Sequence, residues 1–126
     1  MENTSHSKHF IFITDNDGMN NFFPMILKMF KNETEEDNHF TVLYLDETYN
    51  YVFKEELEIL VQRFTTQILV QYRAKFQDET IEAIMNTNTK KQIKFYVETD
   101  AITKDKVLAE LQFLGVDTNN VQTKIS

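Results

Sequence analysis

Five short apolar runs alternate with four segments of helical period, and that alternation leaves the chain few ways to fold. The runs are HFIFIT (9–14), FTVLYL (40–45), QILVQYR (67–73), QIKFYV (92–97) and a last one at 121–125. Each is short and rich in β-branched or aromatic residues, the pattern of a strand buried in a sheet. After a polar turn at 15–20, Phe22, Phe23, Ile26, Leu27 and Phe30 recur at helical spacing. Pro24 is expected in the first turn of that helix, where its missing N–H costs little. A second helix is predicted over 51–64, with Val52, Leu57, Leu60, Val61 and Phe64 on one stripe. A third opens at Asp78 and carries Ile81, Ile84 and Met85; a fourth covers 103–114 with Val107, Leu108, Leu111 and Leu114 inward. Gly115 then stands in the usual place of a C-terminal cap. KNETEEDNH and NTNTKK read as loops and DETYN as a turn. The order β-α-β-α-β-α-β-α-β demands a parallel sheet with helices on both faces and right-handed crossovers. At 126 residues the chain fits one domain, with residues 1–8 a flexible tail and 9–126 the folded unit.

In such sheets ligands bind beyond the carboxyl ends of the strands, at the switch in strand order. Any site is therefore expected in the loops 14–21, 45–50 and 98–103. Composition narrows what that site can do. With only two glycines, Gly18 and Gly115, an intact G-x-G-x-x-G or G-x-x-x-x-G-K-[ST] phosphate loop cannot be built. The absence of cysteine removes disulfides, thiolate zinc sites, iron–sulfur clusters and cysteine nucleophiles, and fits a reducing, cytoplasmic setting. No apolar run approaches the roughly 18 residues of a membrane span. The opening MENTSHSKH has no apolar core of a secretory signal, so no membrane partner is expected. Twenty acidic against 13 basic residues give a net charge of −7, which disfavours nucleic acid and favours basic proteins or cations.

Three segments carry a resemblance. Residues 10–24 are similar to a strand followed by G-G-T-G-I-T-P. VLYLDETYNYVFKEELEIL (42–60) is similar to L-L-Y-G-N-R, a spacer and an F-x-x-E-L helix. FYVETDAITKDKVLAELQFLGVDTNNVQTKIS (95–126) is similar to V-Y-x-C-G-P-x-x-M, an amphipathic helix, L-G-V and a terminal strand. In wording and spacing the chain resembles the pyridine-nucleotide-binding domain of the ferredoxin–NADP⁺ reductase family, phenylacetate-degradation and phenol-hydroxylase type reductases included. The resemblance spans nearly the whole chain. It implies a three-layer, Rossmann-like α/β fold with a five-stranded parallel sheet in the order 3-2-1-4-5. It further implies cofactor-facing positions at Gly18, Met19, Asn20, Asn21, Phe23, Asp46, Glu47, Glu98, Thr99 and Asp100.

The departures fall on those positions. One glycine of three survives, and Met19 puts a side chain where the backbone should approach a pyrophosphate. Asn21 tolerates the left-handed conformation, so the turn itself can persist. Phe23 replaces a small hydroxyl residue near the expected nicotinamide. Glu47 stands where many relatives hold the 2′-phosphate of NADP with an arginine. Glu98, Thr99 and Asp100 replace C-G-P, so the cysteine that faces the nicotinamide is gone. The family places a flavin-binding barrel before this domain, whereas here the first strand begins by residue 9.

The three loops carry Asp15, Asp17, Asp46, Glu47, Glu98 and Asp100 and no base; Arg73 and Lys75, after the third strand, bring the nearest positive charge. The plain reading of these acids is helix capping and solvation, which suits Asp100 and Thr103. The sharper one is a cation site from Asp15, Asp17 and Glu98, or a docking surface for a basic partner. His6 and His9 are expected on a frayed tail, and His39 on the surface. Phe22, Phe23 and Phe30 read as core, with Phe22 or Phe23 a candidate plug of the vacated nicotinamide pocket. A receiver-type phosphoacceptor is excluded, because Tyr72, Arg73 and Ala74 end the third strand and Glu98 and Thr99 the fourth. No serine–histidine–acid set has a workable placement, so no catalytic residue is expected. The expected function is a non-catalytic binding or interaction module without a cofactor, possible also as a homo-oligomer. The alternative is an NAD(H)-binding subunit of a split oxidoreductase working with a separate flavoprotein, Glu47 then meeting an adenosine ribose.

Overall fold

A computed structural model describes residues 8–32, 38–88 and 92–123. Its elements follow the expected alternation: β1 (Lys8–Thr14), α1 (Asn16–Asn32), β2 (His39–Leu45), α2 (Lys54–Arg63), β3 (Ile68–Arg73), α3 (Asp78–Asn86), β4 (Gln92–Glu98), α4 (Ala101–Phe113), a single 3-10 turn (Thr118–Asn120) and β5 (Val121–Gln122). The strands form one sheet in the order β3-β2-β1-β4-β5, every neighbouring pair parallel. This is a Rossmann-like α/β fold, and the order is the expected one.

The continuous apolar runs of β1 and β2 are explained by cover on both faces. Phe10, Phe12, Phe40, Val42 and Tyr44 point to one side, where Met19, Phe22 and Ile26 of α1 and Leu57 and Leu60 of α2 close over them. Ile11, Ile13, Leu43 and Leu45 point to the other, under Ile81 and Ile84 of α3 and Val107 and Leu111 of α4. The first layer is aromatic: Tyr96 stacks on Phe12 at 4.8 Å between centroids, and Phe30 lies 4.5 Å from Phe40 and 4.6 Å from Phe64. Each fully buried side chain of this size contributes on the order of 1.5–3 kcal/mol of transfer free energy.

Several boundaries depart from expectation. The turn predicted at 15–20 is absent, because α1 begins at Asn16, so Pro24 lies inside the helix instead of in its first turn. The cause is local and tertiary together. Asp15 caps the helix, its Oδ1 accepting the Gly18 N–H at 2.9 Å and its carbonyl accepting the Met19 N–H at 2.9 Å. Gly18 then lies against the end of β4. A Cβ there would sit 2.2 Å from the Glu98 carbonyl oxygen and 2.3 Å from Thr14 Oγ1. Only a residue without a side chain lets this turn approach so closely.

α2 starts at Lys54, because residues 51–53 instead cross the end of the sheet and lay Tyr51 and Phe53 on the aromatic layer. α4 starts at Ala101, because Asp100 accepts the Thr103 N–H at 2.9 Å and so draws the helix start forward. β1 already includes Lys8, which removes that residue from the predicted tail; residues 1–7 lie outside the described residues, as do 33–37 and 89–91 of the two predicted loops. β5 is described as two residues against Phe95 and Tyr96, and residues 124–126 lie outside the described residues. Among the described residues no helix is long and apolar enough to cross a membrane.

Candidate functional site

The carboxyl ends of β1, β2, β3 and β4 converge on a cleft of about 450 Å³. It lies where a switch in strand order leaves room, between the connection of β1 to one face and that of β4 to the other. Asp15, Asp46 and Glu47 bound it from the β1 and β2 ends, Thr99 and Asp100 from the β4 end, and Lys75 and Lys106 add two ammonium groups.

Asp46 organises the loop on the β2 side. Its Oδ2 accepts the Thr48 hydroxyl at 2.6 Å and the Asn50 and Thr48 N–H groups at 2.9 and 3.2 Å. The Thr48 hydroxyl first, then the Asn50 N–H, hold this carboxyl below the usual aspartate range. Tyr49, at φ 60°, takes the left-handed turn that lets both amides point inward. Asn16, in the first turn of α1, ties the loop to the helix. Its Nδ2 donates to the Asn50 carbonyl at 2.9 Å and to Asp46 Oδ1 at 3.3 Å. Its Oδ1 accepts the Val52 N–H at 3.1 Å and the Tyr44 hydroxyl, and Tyr44 in turn accepts the Phe53 N–H at 3.1 Å. Burial, the largest influence, pushes the Tyr44 phenol up. On the β4 side, Asp100 accepts the Thr103 N–H at 2.9 Å and the Thr103 hydroxyl at 3.1 Å. Those contacts, the backbone N–H above all, hold its carboxyl below the usual range.

Of the residues singled out in the sequence, the structure brings Asp15, Asp46, Glu47, Thr99 and Asp100 together around this cleft. Gly18, Met19, Asn20, Asn21, Phe23, Asp17 and Glu98 do not line it. Met19 is wholly buried in the aromatic layer and places no side chain at a pyrophosphate position. Phe22 packs edge-on against Phe12 at 5.1 Å, and Phe23 meets Phe53 at 5.5 Å, so neither plugs the cleft. Helical start at Asn16 is the common reason, since it turns residues 19, 22 and 26 onto one inward stripe. Glu98 leaves the cleft for α1, its Oε2 accepting Asn21 Nδ2 at 2.8 Å while Oε1 is buried without a hydrogen-bond partner. The cation site offered as the alternative for Asp15, Asp17 and Glu98 is not formed: among the described residues no three His, Cys, Asp or Glu side chains converge to hold a metal ion.

Arg73 turns back onto its own strand, Nη1 donating to the Tyr72 carbonyl at 3.1 Å, so of these two bases Lys75 alone lines the cleft. Lys106 is the residue that loop-by-loop reading misses. It sits in the second turn of α4, and its signal is helical spacing from Ile102 and Thr103. His6 lies outside the described residues. His9 is not on a frayed tail: it is buried in β1, with Nδ1 2.9 Å from Asn88 Oδ1 and Nε2 2.8 Å from Thr41 Oγ1. His39 is half-buried at the start of β2 and meets the His9 ring edge-on at 6.4 Å. Both belong to the amino end of the sheet, opposite the cleft.

The fold and this edge together define a Rossmann-like domain with an acidic, helix-capped carboxyl edge. The chain matches no protein-family model and no curated protein sequence.

Proposed function

We propose that the chain is a nucleotide-binding domain of ferredoxin–NADP⁺ reductase type that has lost its nucleotide chemistry and acts, without catalysis, as a binding or interaction module. The supporting observation is the state of its two helix N-termini. A dinucleotide pyrophosphate in such folds is held by free N–H groups at a helix N-terminus. At this edge the Asp15 carboxylate already takes the Gly18 N–H, and the Asp100 carboxylate the Thr103 N–H, each at 2.9 Å. A phosphate would have to displace an aspartate from either cap and then meet its charge. Lys75 and Lys106 offset only part of the charge of Asp15, Asp46, Glu47 and Asp100 around the same cleft. Isothermal titration with NADH, NADPH, NAD⁺ and ADP tests the reading. No binding heat is expected with any of them, and micromolar binding of one overturns it.

A second reading rests on the cleft itself, whose volume of about 450 Å³ accepts a small ligand and whose rim includes Glu47. An acid after the second strand is what dehydrogenases set against an adenosine ribose. On this reading the chain binds NAD(H) and passes electrons to a separate flavoprotein. Diaphorase activity on mixing the chain with such a flavoprotein and NADH supports it. Absence of both that activity and NADH binding removes it.

A further inference from the structure

α4 leaves two large apolar side chains uncovered on its outer face. Val107 and Leu111 are buried against the sheet, yet Ile102 is 72% exposed and Phe113 82% exposed on the same helix. Ile102, Lys106, Ala109 and Phe113 recur at spacings of four, three and four, so they form one stripe, and all four are exposed. A shallow groove of about 810 Å³ runs beside that stripe, between α4 and the first turn of α3. It is continuous with the carboxyl-edge cleft, since Phe76 and Lys106 line both.

The groove's walls are acidic. Asp78, Glu79 and Glu110 line it, and among its described lining residues Lys106 is the single base. Glu110 titrates above the usual carboxylate range, through partial desolvation first and through the charges of Asp78, Glu82 and Glu79 after it. Glu110 therefore feels the carboxylates of Asp78, Glu82 and Glu79 across α3 and α4. A stripe with large apolar side chains at both ends and an acidic wall beside it fits an occupant that is apolar on one face and basic at its margins. A second copy of this chain fits badly. A two-fold contact through the same patch would bring one acidic wall of Asp78, Glu79 and Glu110 up to another, in a chain of net charge −7.

We propose that the α3–α4 groove and the exposed α4 stripe beside it dock a basic amphipathic helix of a partner protein, with Phe113 in the groove and Ile102 at the far end of the stripe as apolar anchors and Asp78, Glu79 and Glu110 setting its charge. The proposal rests on the interaction-module reading and supplies its surface. From Ile102 to Phe113 the stripe runs about 16 Å, so an occupant helix of roughly three turns covers it.

The probe is a synthetic helical peptide with leucine at i, i+3, i+4 and i+7 and lysine at the flanking positions. A twin carries glutamate for every lysine. Each is titrated into ¹⁵N-labelled full chain and followed by amide shifts. The basic peptide is expected to move amides of residues 76–82 and 102–113 saturably and more weakly as salt rises, while the acidic twin moves none. Phe113→Ala is expected to weaken binding at least fivefold, and the double variant Glu79→Gln, Glu110→Gln to weaken it and flatten its salt dependence. Both substitutions act at the surface groove, and thermal melts verify folding. Equal response to the two peptides, response elsewhere, or none to either overturns the proposal. So do shifts of the same amides on raising protein concentration alone, which mark a second copy as the occupant. Those failures leave the interaction-module reading standing. That reading fails separately, if NADH moves the amides of Asp15, Asp46 and Glu47.

Discussion

Gly18 is the residue where a sequence resemblance and a packing demand point to different roles. By resemblance it is the survivor of a glycine-rich phosphate turn. In the structure it is a helical residue in the first turn of α1, and its missing side chain is what lets that turn rest on the Glu98 carbonyl and the Thr14 hydroxyl. The two roles differ in their consequences for substitution. On helix propensity alone, Gly18→Ala gains about 1 kcal/mol. A Cβ 2.2 Å from a backbone oxygen of β4 cannot be relieved by a rotamer change, so α1 or β4 must move. The substitution is therefore expected to destabilise the fold by about 1–3 kcal/mol, the usual cost of overpacking. Urea denaturation reads the sign directly, and a gain in stability would falsify the packing role. Met19 teaches the same lesson from the opposite side. Its spacing to Phe22 and Ile26 already marks a core stripe in the sequence, but it is visible only once the helix is begun at Asn16. Aspartate, asparagine and glycine in that first turn read as a turn by local preference. The Asp15 cap and the close approach to β4 override that preference.

At the scale of elements, Pro24 shows what α1 tolerates. It is the ninth of 17 residues, where proline has no N–H to give the helix ladder and its ring crowds the preceding turn. The side chain is exposed, so it adds nothing to the core that could offset this cost. Pro24→Ala is expected to stabilise the domain by about 1–2 kcal/mol: the interior penalty of roughly 3 kcal/mol, less accommodation already made by the helix and the entropy proline removes from the unfolded chain. A guanidinium midpoint that stays put or falls would mean that Pro24 sets the course of α1 over the sheet. The element order was legible because the strands are short, apolar and buried on both sides, and because Leu57, Leu60, Val107 and Leu111 keep a helical period. Strand order 3-2-1-4-5 came from the resemblance alone, since right-handed crossovers are compatible with other orders. The loops that make the cleft were legible for the same reason, as Asp15, Asp46, Glu47, Thr99 and Asp100 all end or follow strands. What could not be read is direction within the helices. Glu98 bends to Asn21 and Lys106 reaches the cleft from a second turn, and both follow from how α1 and α4 lie on the sheet. His9 was misplaced because β1 extends back past it and its ring finds Thr41 and Asn88, partners 32 and 79 residues away.

The core divides into a mostly aliphatic layer under α3 and α4 and an aromatic one under α1 and α2, and the aromatic layer makes the fold sensitive to alkali. Tyr44, Tyr51 and Tyr72 stand together at the carboxyl end of that layer, with centroids 5.0 Å apart for Tyr44 and Tyr51, 4.9 Å for Tyr51 and Tyr72 and 5.9 Å for Tyr44 and Tyr72. Burial is the leading cause that raises all three phenols above 10.0. For Tyr72 the hydrogen bond to Glu58 Oε2 at 2.8 Å comes next, because a tyrosinate could no longer donate and would face the carboxylate. For Tyr51 the charge of Asp46 comes next. The sign of the pH dependence follows. A phenol that the fold keeps neutral contributes stability that is whole below the unfolded-state value near 10 and is lost as pH climbs through the raised folded-state value. The domain is thus expected to hold constant stability from pH 7 to about 9.5, on the phenol account alone, and to lose it steeply above pH 10. The part of the tyrosinate absorbance that Tyr72→Phe removes should rise as ellipticity falls, since burial is the leading cause that keeps the Tyr72 phenol neutral. Tyr72→Phe separates this from general charge repulsion. At pH 7 it forfeits the Glu58 hydrogen bond, at a cost of about 1 kcal/mol. Above pH 10 it removes one of the ionising groups, so the fall in stability with pH becomes shallower than in the parent chain. Urea midpoints measured at pH 7, 9, 10 and 11 on both proteins decide it. Parallel curves would mean that the tyrosine cluster is a passive part of the core and that the accumulated negative charge of the chain drives its alkaline unfolding.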